Sequence, residues 1–470
     1  MSAVKPARVA FLVGALVAVV VAQLGGACAP VDEGTIKAGG TGGATTAGSS
    51  GGEQGGSSGL AGGSGGSASQ AGSAGQAGSG GTAPRAKLAW EPLAEIGGCK
   101  FERVTNLSEL APFLEWKPCE ENACEVAWPH FEDFAAGDVT ITPNSSLADR
   151  AGAIGLAFII GSVTYVAFVD PSGQILAAVR PAIPDCFVGG TGVTNDEFGV
   201  QVGWKVSNLV YRDGIVRINR KTGALTSAVE VQGLFEGALP TFLPEFSNNA
   251  WLTSLAYLDS IWSIDRDGVA TEVVPPIGTQ SLGRAEAIQL PDGRLLFSEL
   301  IEEVPGDESS QNWILKTFAQ GAIIDLTPKG QSWGSLAWAG DRLVAMRAYN
   351  LVRDYNVFER SEVWAGELPL AATSFSPVLL GPHSGEESLA QAETAAVASE
   401  EYYVAALPKS AAGTGRFAAW NLTTSAKREV ELPGVEQLSR FLGIADGRFY
   451  LPVNDGGSPN RIKRYSLKDL

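Results

Sequence analysis

The chain has 470 residues, with 51 acidic and 34 basic side chains, two His and a formal charge of −17. That balance excludes a phosphate backbone as partner, because neutralising phosphates takes clustered Lys and Arg; it equally excludes a polybasic membrane-surface role. Two His argue against the multi-His sites of catalytic zinc or iron, while 45% hydrophobic and 8% aromatic content supplies ample material for a core.

Lys5 and Arg8 form a short basic region, and Val9 to Ala22 follow as 14 uncharged, mostly apolar residues. That run is shorter than the roughly 20 residues of a membrane span and suits the core of a signal peptide. Next comes Gln23-Leu24-Gly25-Gly26-Ala27-Cys28. Small residues before a Cys resemble the lipobox of bacterial lipoproteins, although Leu24 stands four rather than three residues ahead of Cys28. The resemblance implies that residues 1–27 are removed, that Cys28 carries the lipid and that Ala29 directs the protein to the outer membrane. The rival is ordinary cleavage after Ala27-Cys28-Ala29, with Pro30 as the first mature residue.

From Gly39 to Thr82, 19 of 44 residues are Gly and nearly all others are Ser, Ala, Thr or Gln. Nothing there offsets the entropy of ordering, so residues 28–83 are expected to be a disordered tether. A Gly-rich coil of 44 residues spans roughly 35–40 Å.

Composition changes at Pro84. The remainder is rich in short Val, Ile, Leu, Trp and Phe runs broken by Gly-containing turns, which reads as strand, tight turn, strand. Three hairpins share an Asx near the end of one strand and a Gly three or four residues on: Tyr165 to Val179 around Asp170 and Gly173, Gly214 to Thr226 around Asn219 and Gly223, and Ile261 to Val274 around Asp265 and Gly268. The Asx side chain bonds the turn backbone and Gly supplies positive φ. A second type occurs at Ala287–Ser298, Leu336–Ala345 and Leu442–Leu451. Together they make units of four strands starting near residues 150, 188, 241, 285, 335, 391 and 439. This all-β pattern resembles a β-propeller, most simply of seven four-stranded blades, with six or eight as the alternatives. The last unit ends at Leu470 after its third strand; Lys87 to Pro92 is the expected closing strand. Residues 84–149 are expected to be a Cys-containing elaboration and 150–470 the propeller. Arg217 to Ala224 also resembles a quinoprotein-type blade turn, in a single copy that implies no quinone.

Besides Cys28 the chain has Cys99, Cys119, Cys124 and Cys186. Four Cys in an exported protein read as two disulfides. Three connectivities are open; bridges from Cys119 and Cys124 to the more distant Cys99 and Cys186 are the preferred ones. A zinc site of four Cys normally has two short-spaced pairs, and only one pair here is short, so no metal is expected.

Candidate chemistry is sparse. Gly330-Gln331-Ser332-Trp333-Gly334 is a formal G-x-S-x-G, with His383 downstream. A nucleophile elbow needs a helix after the Ser, but Ser335 to Ala339 reads as a strand, so the motif is expected to be an inter-blade loop. His130 reads as a packing residue beside Glu132 and Asp133. The sharper signal is loop length on one propeller face, where loops join second to third strands and blade to blade. The loop with Glu302 and Asp307, the loop with Arg353, Asp354 and Tyr355, and the loop with Asn454 and Asp455 all exceed what a turn needs, and such loops are where binding is often built. Carboxylates of the first loop could ligate Ca²⁺, but their spacing matches no EF-hand.

The reading is a monomeric outer-membrane lipoprotein, on the inner or the cell-surface side, that presents a propeller on a flexible tether. It resembles lipoproteins of uncharacterised function in which a Gly/Ser-rich linker precedes a propeller. The expected partners are the membrane through its lipid and a polysaccharide, peptide or envelope protein, with no nucleic acid and no cofactor. An enzyme is the less expected alternative: a glycan hydrolase or lyase at the central funnel, with catalytic residues unknown. Two carboxylates about 5–10 Å apart would mark such a site.

Overall fold

The computed structural model describes residues 88–470 except 132–137, 144–145, 149–151, 183–185, 195, 208–209, 233–240, 243–250, 256–259, 276–280, 290–293, 308–309, 320, 329–330, 341, 353–356, 368–377, 383–388, 391–395, 408–409, 411–412, 434, 436–440 and 454–457. For 241–242, 251–255, 281–289, 319, 348–352, 357–361, 381–382 and 389–390 it describes the backbone alone. The chain divides into two units, Met1–Ala83 and Pro84–Leu470, and every described residue belongs to the second. Among the described residues the regular structure is strand, apart from a single 3-10 turn at Leu107–Glu109. No helix among them is long and apolar enough to cross a membrane.

The turns show why these sequences fold as hairpins. Asp170 Oδ1 accepts from the amides of Ser172 and Gln174 at 2.9 and 3.0 Å, and Asp265 Oδ1 accepts from Asp267 and Val269 at 2.9 Å each. Asn219 Oδ1 accepts from Lys221 and Thr222 at 2.9 and 3.0 Å. Gly173, Gly223 and Gly268 follow at φ of 97°, 66° and 82°, where a Cβ would be strained. The Asn219 turn has a second copy without glycine. Asn421 Oδ1 accepts from Thr423 and Thr424 at 3.0 and 2.8 Å, and Ser425 takes the left-handed position at φ 58°.

The strand order is that of a β-propeller. Antiparallel runs of strands follow one another among the described residues, most of them four-stranded, with the first and last joined in one twelve-stranded sheet. Their inner strands are Val139–Ile141 with Leu147–Ala148, then Cys186–Val193, Thr241–Phe242, Ser281–Gln289, Ser332–Ala339, Ala396–Ala398 and Gly443–Ala445. From the second run on, these starts lie within a few residues of the units read from the sequence. The first run starts earlier, at Val139, inside the segment expected to be an elaboration. Successive inner strands lie beside one another, as Cys186–Val193 does beside Thr241–Phe242, and Ser332–Ala339 beside both Ser281–Gln289 and Ala396–Ala398. Gly443 pairs with Ala148 in a parallel bridge, joining the last run to the first in one twelve-stranded sheet. Inner strands around one axis all point the same way, so a parallel bridge between two of them is what ring closure requires.

The closing strand corrects the sequence reading. The outer partner of Arg461–Ser466 is Cys124–Ala127, with Ile462 opposite Ala127 and Tyr465 opposite Cys124. Lys87 to Pro92 does not reach that edge. Its described part opens Trp90–Ile96, which pairs with Cys99–Val104, and that strand lies beside Ile175–Pro181 as an extension of the first run. The reason is connectivity: only the strand directly ahead of the first inner strand enters it by a short connection, 128–138.

Packing occurs between sheets. Ala157, Val166, Phe168 and Val179 of the first run face Phe198, Val200, Val202 and Trp204 of the second. Phe168 and Phe198 stack with centroids 4.3 Å apart. On the other side of the first run, Phe158 and Tyr165 meet Trp90, Phe113 and Phe131 in an aromatic wedge.

Candidate functional site at the loop face of the ring

Alternation along a meander places the loops after second strands and the connections between sheets at the same end of the ring. The acidic loop of the fourth run lies there, between Leu295–Glu302 and Gln311–Ala319. Its carboxylates hold the loop together. Glu302 Oε2 accepts from the amide of Gly306 at 2.8 Å, and Glu303 Oε1 accepts from Asn312 Nδ2 at 3.1 Å. Asp307 is exposed, and its carbonyl accepts from the amide of Ser310 at 2.9 Å. Arg353, Asp354, Tyr355, Asn454, Asp455, Cys28 and His383 lie outside the described residues.

The same end of the ring holds a group that the sequence reading passed over. Where the ring closes, residues beside the connection after Ala127 lie against residues at the end of the last second-to-third loop. The amide of Ile141 donates to the Pro459 carbonyl at 2.7 Å. The Arg461 guanidinium stands 6.0 Å from the centre of the Trp128 ring. Trp128, His130 and Asn460 are half-buried, and the His130 amide donates to the Phe113 carbonyl at 2.8 Å. Asn460 Oδ1 and Thr142 Oγ1 are buried with no hydrogen-bond partner. An indole with a guanidinium over its ring is a pairing of groups that can recognise a sugar ring or a peptide. The signal open to sequence reasoning was Trp128 beside Pro129 in a short connection.

The inner strands offer little chemistry. Read along their sequences, the inner strands among the described residues contain mostly Gly, Ala, Ser, Thr and apolar residues, with Arg284 and Gln289 besides and Glu286 as their single carboxylate. Ser332 is no nucleophile, nor does it lie in an inter-blade loop: it opens the strand Ser332–Ala339, is 2% exposed, and its Oγ accepts from the Trp313 amide at 3.1 Å.

The cysteines form two disulfides, Cys99–Cys186 and Cys119–Cys124. The preferred crossed pairing is therefore wrong. Cys119 and Cys124 flank a hairpin turn, where the Cys119 amide donates to the Cys124 carbonyl at 3.0 Å. Their Cα atoms lie 5.2 Å apart, within disulfide reach. Among the described residues, Cys119, Glu121 and Cys124 are the one His, Cys, Asp or Glu group close enough to hold an ion, but both sulfurs are in the disulfide rather than free thiolates.

Charge is buried on either side of the third run. In the second run, Glu197, Gln201, Asp213 and Arg217 share one face by register and are all buried. Burial pushes the Asp213 carboxyl up to about 7 against the lowering effect of its bond from Gln201 Nε2 at 3.2 Å. In the fourth run, Lys316 donates to buried Glu299 at 2.8 Å and lies 3.4 Å from Asp325; Arg284 is opposite Glu299 in register.

No protein-family model and no curated protein sequence matches the chain. Solved structures with similar architecture include virginiamycin B lyase from Staphylococcus aureus, at 11% identity and TM-score 0.43 over 74% of this chain and 99% of that one. They also include the β-propeller domain of the Trilobed protease from Pyrococcus furiosus, at 8% identity and TM-score 0.44 over 70% and 95%. A third is YCF48 from Cyanidioschyzon merolae, at 9% identity and TM-score 0.42 over 71% and 99%.

Proposed function

We propose that the protein is a cell-envelope lipoprotein, anchored at the outer membrane through Cys28, whose propeller binds a glycan, a peptide or an envelope protein at its loop face. The observation that supports this reading is the half-buried Trp128 with Arg461 across its ring at the closing seam. Binding is favoured over glycan hydrolysis because hydrolysis takes a carboxylate pair, and the inner strands contain Glu286 alone. The anchor rests on the lipobox-like residues ahead of Cys28, and the Gly-rich tether would hold the domain clear of the lipid.

The test is a binding screen of the full chain against envelope polysaccharides and peptides, repeated with Trp128→Ala. Loss of one aromatic platform is expected to weaken binding by about 2 kcal/mol, some thirtyfold. Binding unaffected by that change would move the site elsewhere. Turnover of any glycan by the natural chain would overturn the binding reading. Intact mass of the membrane-extracted protein tests the anchor: it should equal Cys28 to Leu470 plus acyl groups.

A further inference from the structure

We propose that Cys119–Cys124 is a thiol–disulfide exchange site, and that its redox state controls the strand that closes the ring. The two residues of this bridge differ in burial: Cys119 is half-buried, while Cys124 is 6% exposed. The other bridge shows no such difference, since Cys99 is 0% and Cys186 6% exposed. Of the four half-cystines, Cys119 is therefore the one that is not fully buried. Its neighbours Lys117, Pro118, Glu120 and Asn122 are exposed.

The bridge also holds an unfavourable backbone in place. Ala123, next to Cys124, sits at φ 57°, where a Cβ costs roughly 1–2 kcal/mol. Its carbonyl accepts from the Ser466 amide at 2.9 Å, so this turn carries one of the bonds that hold Arg461–Ser466 to the N-terminal part of the chain. Beside it Glu121 pairs with Lys463 and Glu125 with Arg464, the latter at 2.8 Å. The five-residue bridge thus fixes the turn from which the closing strand Cys124–Ala127 starts.

The chemistry balances with an external dithiol as reductant. Its thiolate attacks Cys119 Sγ, the S–S bond breaks, and Cys124 leaves as a thiolate that takes up a proton. The second thiol of the reductant then attacks the mixed disulfide and releases Cys119. The cysteine pair gains two electrons and two protons, and the dithiol becomes a disulfide. Once the bridge is open, Ala123 is free to leave the left-handed region, its bond to Ser466 is released, and pairing of Cys124–Ala127 with Arg461–Ser466 loosens.

The experiment titrates the oxidised full chain with dithiothreitol, traps thiols by alkylation, identifies the labelled cysteines by peptide mass spectrometry and follows backbone hydrogen exchange. Cys119 and Cys124 are expected to label at reductant concentrations about tenfold lower than Cys99 and Cys186. Exchange should rise at 124–127 and 461–466 at that stage, and not at 186–193. Simultaneous reduction of both bridges, or Cys99–Cys186 first, overturns the exchange site. Selective reduction without a change in exchange at 124–127 overturns control of the closing strand. The double variant Cys119→Ala, Cys124→Ala should show raised exchange at 124–127 without reductant and no response to low dithiothreitol. If that variant fails to fold, the labelling order in the natural chain still decides.

Discussion

Two N-terminal segments join the same ring by opposite means. The hairpin of Trp90–Ile96 and Cys99–Val104 is fastened over a long chain distance: its bridge links Cys99 to Cys186, 87 residues on. Arg103 Nη1 donates to the Gly223 carbonyl of the second run at 2.7 Å, and the backbone of Gly97 presses on the Trp204 ring. The clasp of Lys117–Pro118 and Cys124–Ala127 is fastened locally, by a bridge across five residues, and across the seam by ion pairs to Lys463 and Arg464. The first attachment is buried and holds two sheets at fixed spacing. The second is partly open to solvent and closes the ring. A long-range crosslink restricts the unfolded chain heavily, whereas a five-residue bridge mostly selects a turn.

That contrast breaks or holds on measured stability. The double variant Cys99→Ala, Cys186→Ala is expected to lose about 4–5 kcal/mol in chemical denaturation, the loop-closure value for such a separation. A loss below about 2 kcal/mol would mean that the hairpin is held by packing instead. A pH dependence of up to about 4 kcal/mol is expected from Asp213. Its carboxyl is raised from 3.8 to about 7 in the folded chain, so the folded state holds its proton more tightly than the unfolded state. Stability should fall as pH rises from about 4 to about 7 and level off above that. Asp213→Asn should flatten this profile, as read by thermal unfolding across pH. Gly97→Ala is expected to cost about 3 kcal/mol, since φ is +56° and its Cβ would lie 2.1 Å from the Trp204 ring. Removal of the clasp bridge by Cys119→Ala with Cys124→Ala should cost about 2 kcal/mol, clearly less than removal of the long bridge. The smallest effect has the opposite sign: Ala123→Gly should stabilise by up to about 1 kcal/mol, because glycine accepts the left-handed turn without strain.

The hairpins were legible because their determinants are local. Asp170, Asn219 and Asp265 each cap a turn within four residues of themselves, and the alternating apolar residues on either side define the strands. The copy at Asn421 was missed because Ser425 stands where a glycine was the marker. The candidate site was legible only in part: the loop face follows from strand alternation, but the meeting of Trp128 with Arg461 joins residues more than 300 positions apart. Glu302 shows the converse, since its carboxylate looked available for a ligand and is used by the amide of Gly306 in its own loop.

By itself the sequence determined the strands, the Asx turns, their repetition in units of four and the acidic character of the chain, all of which depend on neighbours within a few residues. The tertiary structure alone decided which strand closes the ring, which cysteines pair, and which side chains share the seam. Those are choices among distant partners, settled by which sheet edge remains unpaired and which Cα atoms come within disulfide reach once the ring has formed. Local chemistry leaves several such partners equally acceptable until packing brings one of them into contact.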